Sequence, residues 1–152
     1  MAARAVHLVT RLNVGGIARF LEVARDAVDL LVRGSAGPGE REAAWEGEQV
    51  RLPFLRRRVD PPDDLRALHG LVRLLKRLRP GVLHTHASKA GAIGRAAARL
   101  LGVPCVHTFH GHVLSGHFPR PISWAIGRIE RVLAGWAAVT ATGPVTAREL
   151  EG

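Results

Sequence analysis

The densest group of chemically versatile side chains is the segment His107-Thr108-Phe109-His110-Gly111-His112, in which three of six residues are histidines. A neutral imidazole can donate or accept a hydrogen bond and can move a proton near neutral pH, which suits contact with the hydroxyl groups of a substrate. Because the histidines leave an apolar run for a glycine-containing loop, we expect a functional role for His110. The alternative is one satisfied core histidine followed by a solvated loop.

A second polar segment, His84-Thr85-His86-Ala87-Ser88-Lys89-Ala90-Gly91, joins a predicted strand end to a predicted helix start. The positive end of a helix dipole and an ammonium group both suit a phosphate or carboxylate, each contributing about 0.3–1 kcal/mol when exposed. We therefore expect function from His86, Ser88 or Lys89, with Ser88 as the helix cap. In the purely structural alternative, His84 points inward and His86 points outward.

A pair of glycines, Gly15 and Gly16, directly follows the first predicted strand and precedes a helix. Glycines let backbone N–H groups approach a ligand closely, and a helix N-terminus favours anions. The pair is not a full G-x-G-x-x-G motif, so a plain strand-to-helix turn explains it equally well.

Metal and nucleophile chemistry both find little support in the sequence. The spacings His84-x-His86 and His107-x-x-His110-x-His112 resemble metal-ligand spacings, but zinc hydrolases usually add a carboxylate. No Asp or Glu occurs between residues 65 and 129, so the sequence predicts no metal site. The single cysteine, Cys105, lies in an apolar stretch and is expected to be buried filler. No G-x-S-x-G motif is present.

The chain is strongly basic, with a formal net charge of +9, and the acid-free region contains most of its histidines and many of its basic residues. Such a region favours phosphates, anionic lipid headgroups or nucleic acid. The absence of tyrosine and an aromatic content of 5% argue against nucleic acid. The remaining alternative is a set of solvated basic faces. No segment has the pattern of a signal peptide or a spanning helix, so we expect a cytoplasmic protein.

Short β-branched segments alternate with amphipathic ones, which predicts a single α/β domain with a Rossmann-like parallel sheet flanked by helices. The predicted strands are 5–10, 28–32, 49–52, 81–86, 105–109 and 137–141. The predicted helices are 17–25, 61–78, 88–101 and 120–134, with at best a short polar helix at 40–48 and a further helix beginning at 146. Since ligands collect at the carboxyl ends of parallel strands, the three polar segments are expected to share one sheet edge.

Four motifs together resemble the N-terminal half of GT-B-fold, family-4 glycosyltransferases. They are the segment 10–19 around Gly15 and Gly16, the segment 82–95 around His86, the segment 107–114 around His110, and the pair Glu130-Arg131. Their order and spacing cover most of residues 5–150.

The resemblance implies a retaining transferase that moves a sugar from a nucleotide-sugar donor to an acceptor, without metal or other cofactor. Many such enzymes act on lipid-linked or cell-envelope acceptors at the cytoplasmic membrane face, so a peripheral position at an anionic membrane is expected. The resemblance places His110 beside the transferred sugar at the reacting centre, and the loop glycines near the donor phosphates and acceptor. The acceptor side of the cleft is assigned to His86, Ser88, Lys89, Gly111 and His112.

The resemblance also implies a second, nucleotide-sugar-binding domain, which we expect to be absent from residues 1–152. We therefore expect residues 1–152 to be one acceptor-side domain with little activity alone, completed by that domain in the same protein or in a partner. Two departures concern the first helix: Phe20 replaces a histidine common in the family, and the connection from Ala24 to Val28 is short. The alternative function is a non-catalytic basic module that binds a membrane surface or a partner subunit.

Overall fold

A computed structural model describes residues 4–110 and 120–141 of the chain. Six strands and four α-helices lie along these residues, and they alternate as predicted except between the second and third strands, where no helix intervenes. The strands are β1 (Ala5–Val9), β2 (Leu30–Arg33), β3 (Gln49–Arg51), β4 (Val82–His86), β5 (Cys105–Phe109) and β6 (Ala138–Ala141). The helices are α1 (Gly16–Val23), α2 (Pro61–Leu78), α3 (Ser88–Leu101) and α4 (Arg120–Ala134), with a 3-10 turn at Arg25–Ala27.

All neighbouring strands are parallel and the order across the sheet is β3-β2-β1-β4-β5-β6. The order reverses direction between β1 and β4, the place where open α/β sheets form their ligand crevice. The Rossmann-like parallel sheet predicted from the sequence is therefore confirmed. In the register of β1 and β4, His7 lies beside His84 and Val9 lies beside His86.

The two faces of the sheet carry different helices. The larger core joins α2 and α3 to one face through buried aliphatic side chains, and it includes the free thiol of Cys105 as predicted. Two glycines of α3 permit its close packing: a Cβ on Gly91 would lie 2.2 Å from Cε1 of His107, and one on Gly94 would lie 2.3 Å from Cγ2 of Thr85. The opposite face carries α1, whose Leu21 is buried with Val9.

Local signals predicted most element ends, and two expectations need correction. Asp60 caps α2 by accepting a hydrogen bond from the backbone N–H of Asp63, and Gly102 ends α3 in the left-handed conformation, both as expected. Ser88 is the first residue of α3 rather than its cap, which is Ala87. The short polar helix does not form at 40–48, and the short connection after α1 is a 3-10 turn. The expected helix from 146 lies outside the described residues.

Candidate functional site

Four histidines meet on the face of the sheet that carries α1. His7 belongs to β1, His84 and His86 belong to β4, and His110 follows β5. Side chains two residues apart on a strand lie on the same face, and β1 and β4 are adjacent, so the three strand histidines form one group. The alternative that turned His84 inward and His86 outward was wrong for this reason.

Hydrogen bonds join three of these rings into a chain. Nε2 of His86 lies 3.0 Å from Nδ1 of His7, and Nδ1 of His86 lies 2.8 Å from Nε2 of His110. The fourth ring is held separately, since Nε2 of His84 lies 2.7 Å from the hydroxyl of Thr108. His86 is fully buried, so both of its ring nitrogens find a partner inside the protein.

Phe20 of α1 closes this histidine group on the helix side. The centroid of its ring lies 5.0 Å from that of His110, edge to face, and 5.4 Å from that of His86. Phe20 is the position where the resemblance leads one to expect a histidine. Here an apolar ring covers the imidazoles, which removes water from around them.

Burial keeps the histidines of this group neutral at physiological pH. Desolvation, helped by the charge of His84, lowers the pKa of His7 to about 4 and that of His110 to about 4. The pKa of His86 is lowered to about 2, first by desolvation and then by its histidine neighbours. His110 is therefore a neutral imidazole at physiological pH, which can donate or accept a hydrogen bond.

Sequence reasoning missed His7 because nothing local marks it. The alternation of β1 predicts which face of the sheet His7 lies on. It does not predict that His84 and His86 lie beside it, because that depends on β4 being the neighbouring strand. His107 faces the other side of the sheet, where Nδ1 lies 2.8 Å from the hydroxyl of Thr85 and the ring packs against Gly91. It is a buried structural histidine.

A cavity of about 730 Å³ opens beside the histidine group, at the carboxyl edge of the sheet. Four sequence-predicted residues line it: Gly15, Gly16, Ser88 and Lys89. His86 and His110 do not line it, although Ala87, the residue after His86, does. Gly111 and His112 lie outside the described residues.

The mouth of this cavity suits an anion. The helices α1 and α3 both begin at it, and neither is capped by the side chain of its own cap residue. In α3 the hydroxyl of Thr10 accepts from the backbone N–H of Ala90, which leaves the first N–H groups of the helix for a ligand. Lys89 lies at the same place with its Nζ 2.5 Å from a carboxylate oxygen of Asp64. The ammonium of Lys89 also donates to the carbonyl of Arg58, so it is already paired in this structure. Two helix N-termini at one space favour an anion.

Most of the remaining cavity wall is aliphatic. These side chains come from the loop before α1, from α1, from the loop before α2, from α3 and from α4: Val14, Ile17, Val59, Ala92, Ile93, Ile126 and Ile129. The polar and charged residues of the wall are Thr10, Arg11, Asn13, Arg57, Asp64 and Glu130. A cavity with an anion-binding mouth and aliphatic walls fits an amphipathic ligand whose phosphate is attached to a hydrocarbon.

A buried ion pair stands behind the cavity wall. Arg95 of α3 is fully buried, and its Nη2 lies 2.7 Å from Oε2 of Glu130, a residue that lines the cavity from α4. The Nε–H of Arg95 donates to the carbonyl of Gly91 at 2.9 Å. The pair thus fixes α4 against α3, and with it one side of the cavity.

The family described as "Glycosyl transferase 4-like domain" matches residues 6–152 of the chain. A galactosyltransferase of Escherichia coli, named UDP-Gal:alpha-D-GlcNAc-diphosphoundecaprenol alpha-1,3-galactosyltransferase, is 49% identical over 61 residues. That alignment covers 40% of this chain and 16% of the E. coli protein.

Solved structures with the same fold include MurG of Acinetobacter baumannii, with a TM-score of 0.56 and 18% identity over 94% of this chain and 42% of that one. The UDP-GlcNAc 2-epimerase of Methanocaldococcus jannaschii gives a TM-score of 0.59 at 11% identity, over 97% of this chain and 41% of that one. The chain thus spans less than half the length of these proteins, and the likeness establishes the fold.

Proposed function

The chain belongs to the Glycosyl transferase 4-like domain family, and we propose that it is the acceptor-side domain of a retaining transferase that uses a nucleotide-sugar donor. The family resemblance inferred from the motifs is thereby confirmed. Sugar transfer requires donor and acceptor to be held together away from water. We propose that a nucleotide-sugar-binding domain, in the same protein or a partner, completes the cleft, so that residues 1–152 alone turn over little or no substrate.

We propose that the acceptor is a sugar carried on a lipid diphosphate. The observation that carries this proposal is the cavity, which combines an anion-binding mouth with aliphatic walls. The name of the E. coli relative specifies a diphosphoundecaprenol acceptor, which has this chemistry. In the proposed complex the diphosphate lies at Ser88, Lys89 and the glycine pair, and the hydrocarbon lies between α1 and α4.

The proposed acceptor site predicts a strong effect of Lys89→Ala on binding. A hydrogen bond to a charged group is worth about 1.5–3 kcal/mol, so the dissociation constant should rise roughly 10- to 100-fold. Titrating the chain with a short-chain prenyl diphosphate and recording the heat of binding measures this. Lys76→Ala is the matched control, because Lys76 is an exposed basic residue on α2.

Each outcome of that titration decides the proposal. Tight binding by the wild type, weakening with Lys89→Ala and no change with Lys76→Ala would support it. A prenyl alcohol without phosphate should bind weakly, since the mouth of the cavity then loses its ligand. Equal binding of the wild type and Lys89→Ala, or no binding by the folded wild type, would refute the acceptor assignment.

The exposed face of α4 favours a second candidate function, docking on an anionic membrane surface. Trp124 is 66% exposed and Ile122 is 48% exposed, and the guanidinium of Arg128 lies 5.4 Å from the centroid of the Trp124 ring. Tryptophan beside arginine is typical of helices that lie in a lipid interface. Within the described residues no helix has the length and hydropathy needed to span a bilayer.

We expect the chain to co-sediment with vesicles that contain phosphatidylserine, and binding should fall steeply as salt rises, because exposed charges are screened. Trp124→Ala should reduce the bound fraction severalfold. Leu100→Ala is the control, since Leu100 is an aliphatic residue that is 69% exposed on a different helix, α3. Equal binding of all three proteins would remove α4 as the docking surface.

A further inference from the structure

Three imidazoles of the histidine group converge on one point. One ligand atom from each of His7, His84 and His86 lies within 4.8 Å of the other two. Nitrogens that share a tetrahedral zinc ion lie about 3.3 Å apart, since each Zn–N bond is about 2.0–2.1 Å. Small rotations of the rings would bring the nitrogens from within 4.8 Å to this spacing. Nδ1 of His7 and Nε2 of His86 are already 3.0 Å apart.

Two of these three rings have their second nitrogen held by another group. Nε2 of His84 lies against the hydroxyl of Thr108, and Nδ1 of His86 lies against His110. The carbonyl of Ala27 acts on His7 and raises its pKa. Because Nδ1 of His7 faces His86, Nε2 is the nitrogen that remains for this carbonyl. Metal-ligating histidines almost always use one nitrogen for the ion and the other for such an orienting partner.

The surroundings also fit an ion. His84 and His110 are half-buried, so the group has an edge toward solvent. Among the charges acting on His7 is the carboxylate of Asp29, which offsets part of the charge of a cation. Imidazole is a ligand suited to zinc, copper, iron and nickel, and neutral imidazole is the form that binds them.

We propose that His7, His84 and His86 form a binding site for one divalent transition-metal ion of the zinc type, with a fourth position left for water. When an ion binds Nε2 of His86, the ring proton of His86 lies on Nδ1. This N–H then donates a hydrogen bond to Nε2 of His110. His110 then keeps its own proton on Nδ1. The site would couple metal occupancy to the hydrogen-bonding state of His110, and it is independent of whether the chain transfers sugar.

The test is a titration of the tag-free, chelator-treated chain with Zn²⁺ followed by calorimetry, and with Co²⁺ followed by visible absorption. We expect one ion per chain, and Co²⁺ should give the intense visible bands of a tetrahedral site. The proton shift should appear as a change in the side-chain nitrogen resonances of His110. No ion uptake by the folded protein would mean that the histidines form a hydrogen-bonded group without metal. That result would overturn the proposal.

Variants locate the ion. His7→Phe and His84→Phe each remove one ligand while keeping an aromatic ring, and uptake at this site should be lost in both. Thr108→Val removes the partner of His84, together with a hydrogen bond to the hydroxyl of Thr140, and should weaken binding by about 10- to 100-fold. His69→Gln is the control, because His69 is exposed on α2, and its uptake should match that of the wild type.

Full uptake by the His7 and His84 variants would place the ion elsewhere and refute the site. Far-ultraviolet circular dichroism confirms that each variant is folded.

Discussion

We expect His110→Ala to lower the turnover of the assembled transferase by about 10²–10⁴-fold, the range for loss of a positioned acid or base. His110 is half-buried, its pKa is lowered to about 4, and Nε2 is held by His86. A neutral ring with one nitrogen fixed in this way has its other nitrogen, Nδ1, ready for a substrate hydroxyl. The measurement is kcat and KM for sugar transfer, with the far-ultraviolet spectrum recorded alongside.

The expected loss is in kcat, because the resemblance places His110 at the reacting centre rather than at a remote part of the acceptor. His69→Ala is the matched control, since it removes an exposed histidine from α2. Unchanged turnover by His110→Ala would remove this residue from the reaction. A rise in KM for the acceptor with kcat unchanged would make His110 an acceptor contact instead.

We expect Glu130→Ala to destabilise the domain by about 3–5 kcal/mol, the cost of removing one partner from a buried ion pair. Arg95 is fully buried, and the side chain of Glu130 is 11% exposed. Within the described part of the chain, Nη1 of Arg95 already lacks a hydrogen-bond partner. Removing Glu130 would leave a buried guanidinium held only by the carbonyl of Gly91. For a domain of about 150 residues the Tm should fall on the order of 10 °C.

Two companion variants make this result specific. The double change Arg95→Met with Glu130→Leu should recover most of the lost stability, because it removes both charges and keeps the volume. Glu48→Ala breaks the exposed pair with Arg4 and should cost no more than about 1 kcal/mol. Thermal melts of all four proteins measure the effects. Equal melting of Glu130→Ala and the wild type would show that the pair contributes nothing to holding α4.

The sequence was sufficient to predict the fold because its signals are local. Alternating apolar segments set the strands, Asp60 and the prolines after it set the start of α2, and Gly102 set the end of α3. Parallel strands then place every strand-to-helix loop at one edge. For that reason Gly15 and Lys89, far apart in the chain, were expected together and do line one cavity.

The histidine group was decided by tertiary structure alone. His7 and His86 are 79 positions apart, and they touch because β1 lies between β2 and β4 and therefore pairs with β4 as well as with the strand that follows it in the chain. The pattern of either strand cannot reveal which strand is its neighbour, nor its register, since both depend on packing against distant helices. The same holds for Phe20, which contacts His86 and His110 only because α1 packs over this part of the sheet. Residue types in the sequence therefore determined which chemistry was possible, and the order and register of the strands determined which histidines share it.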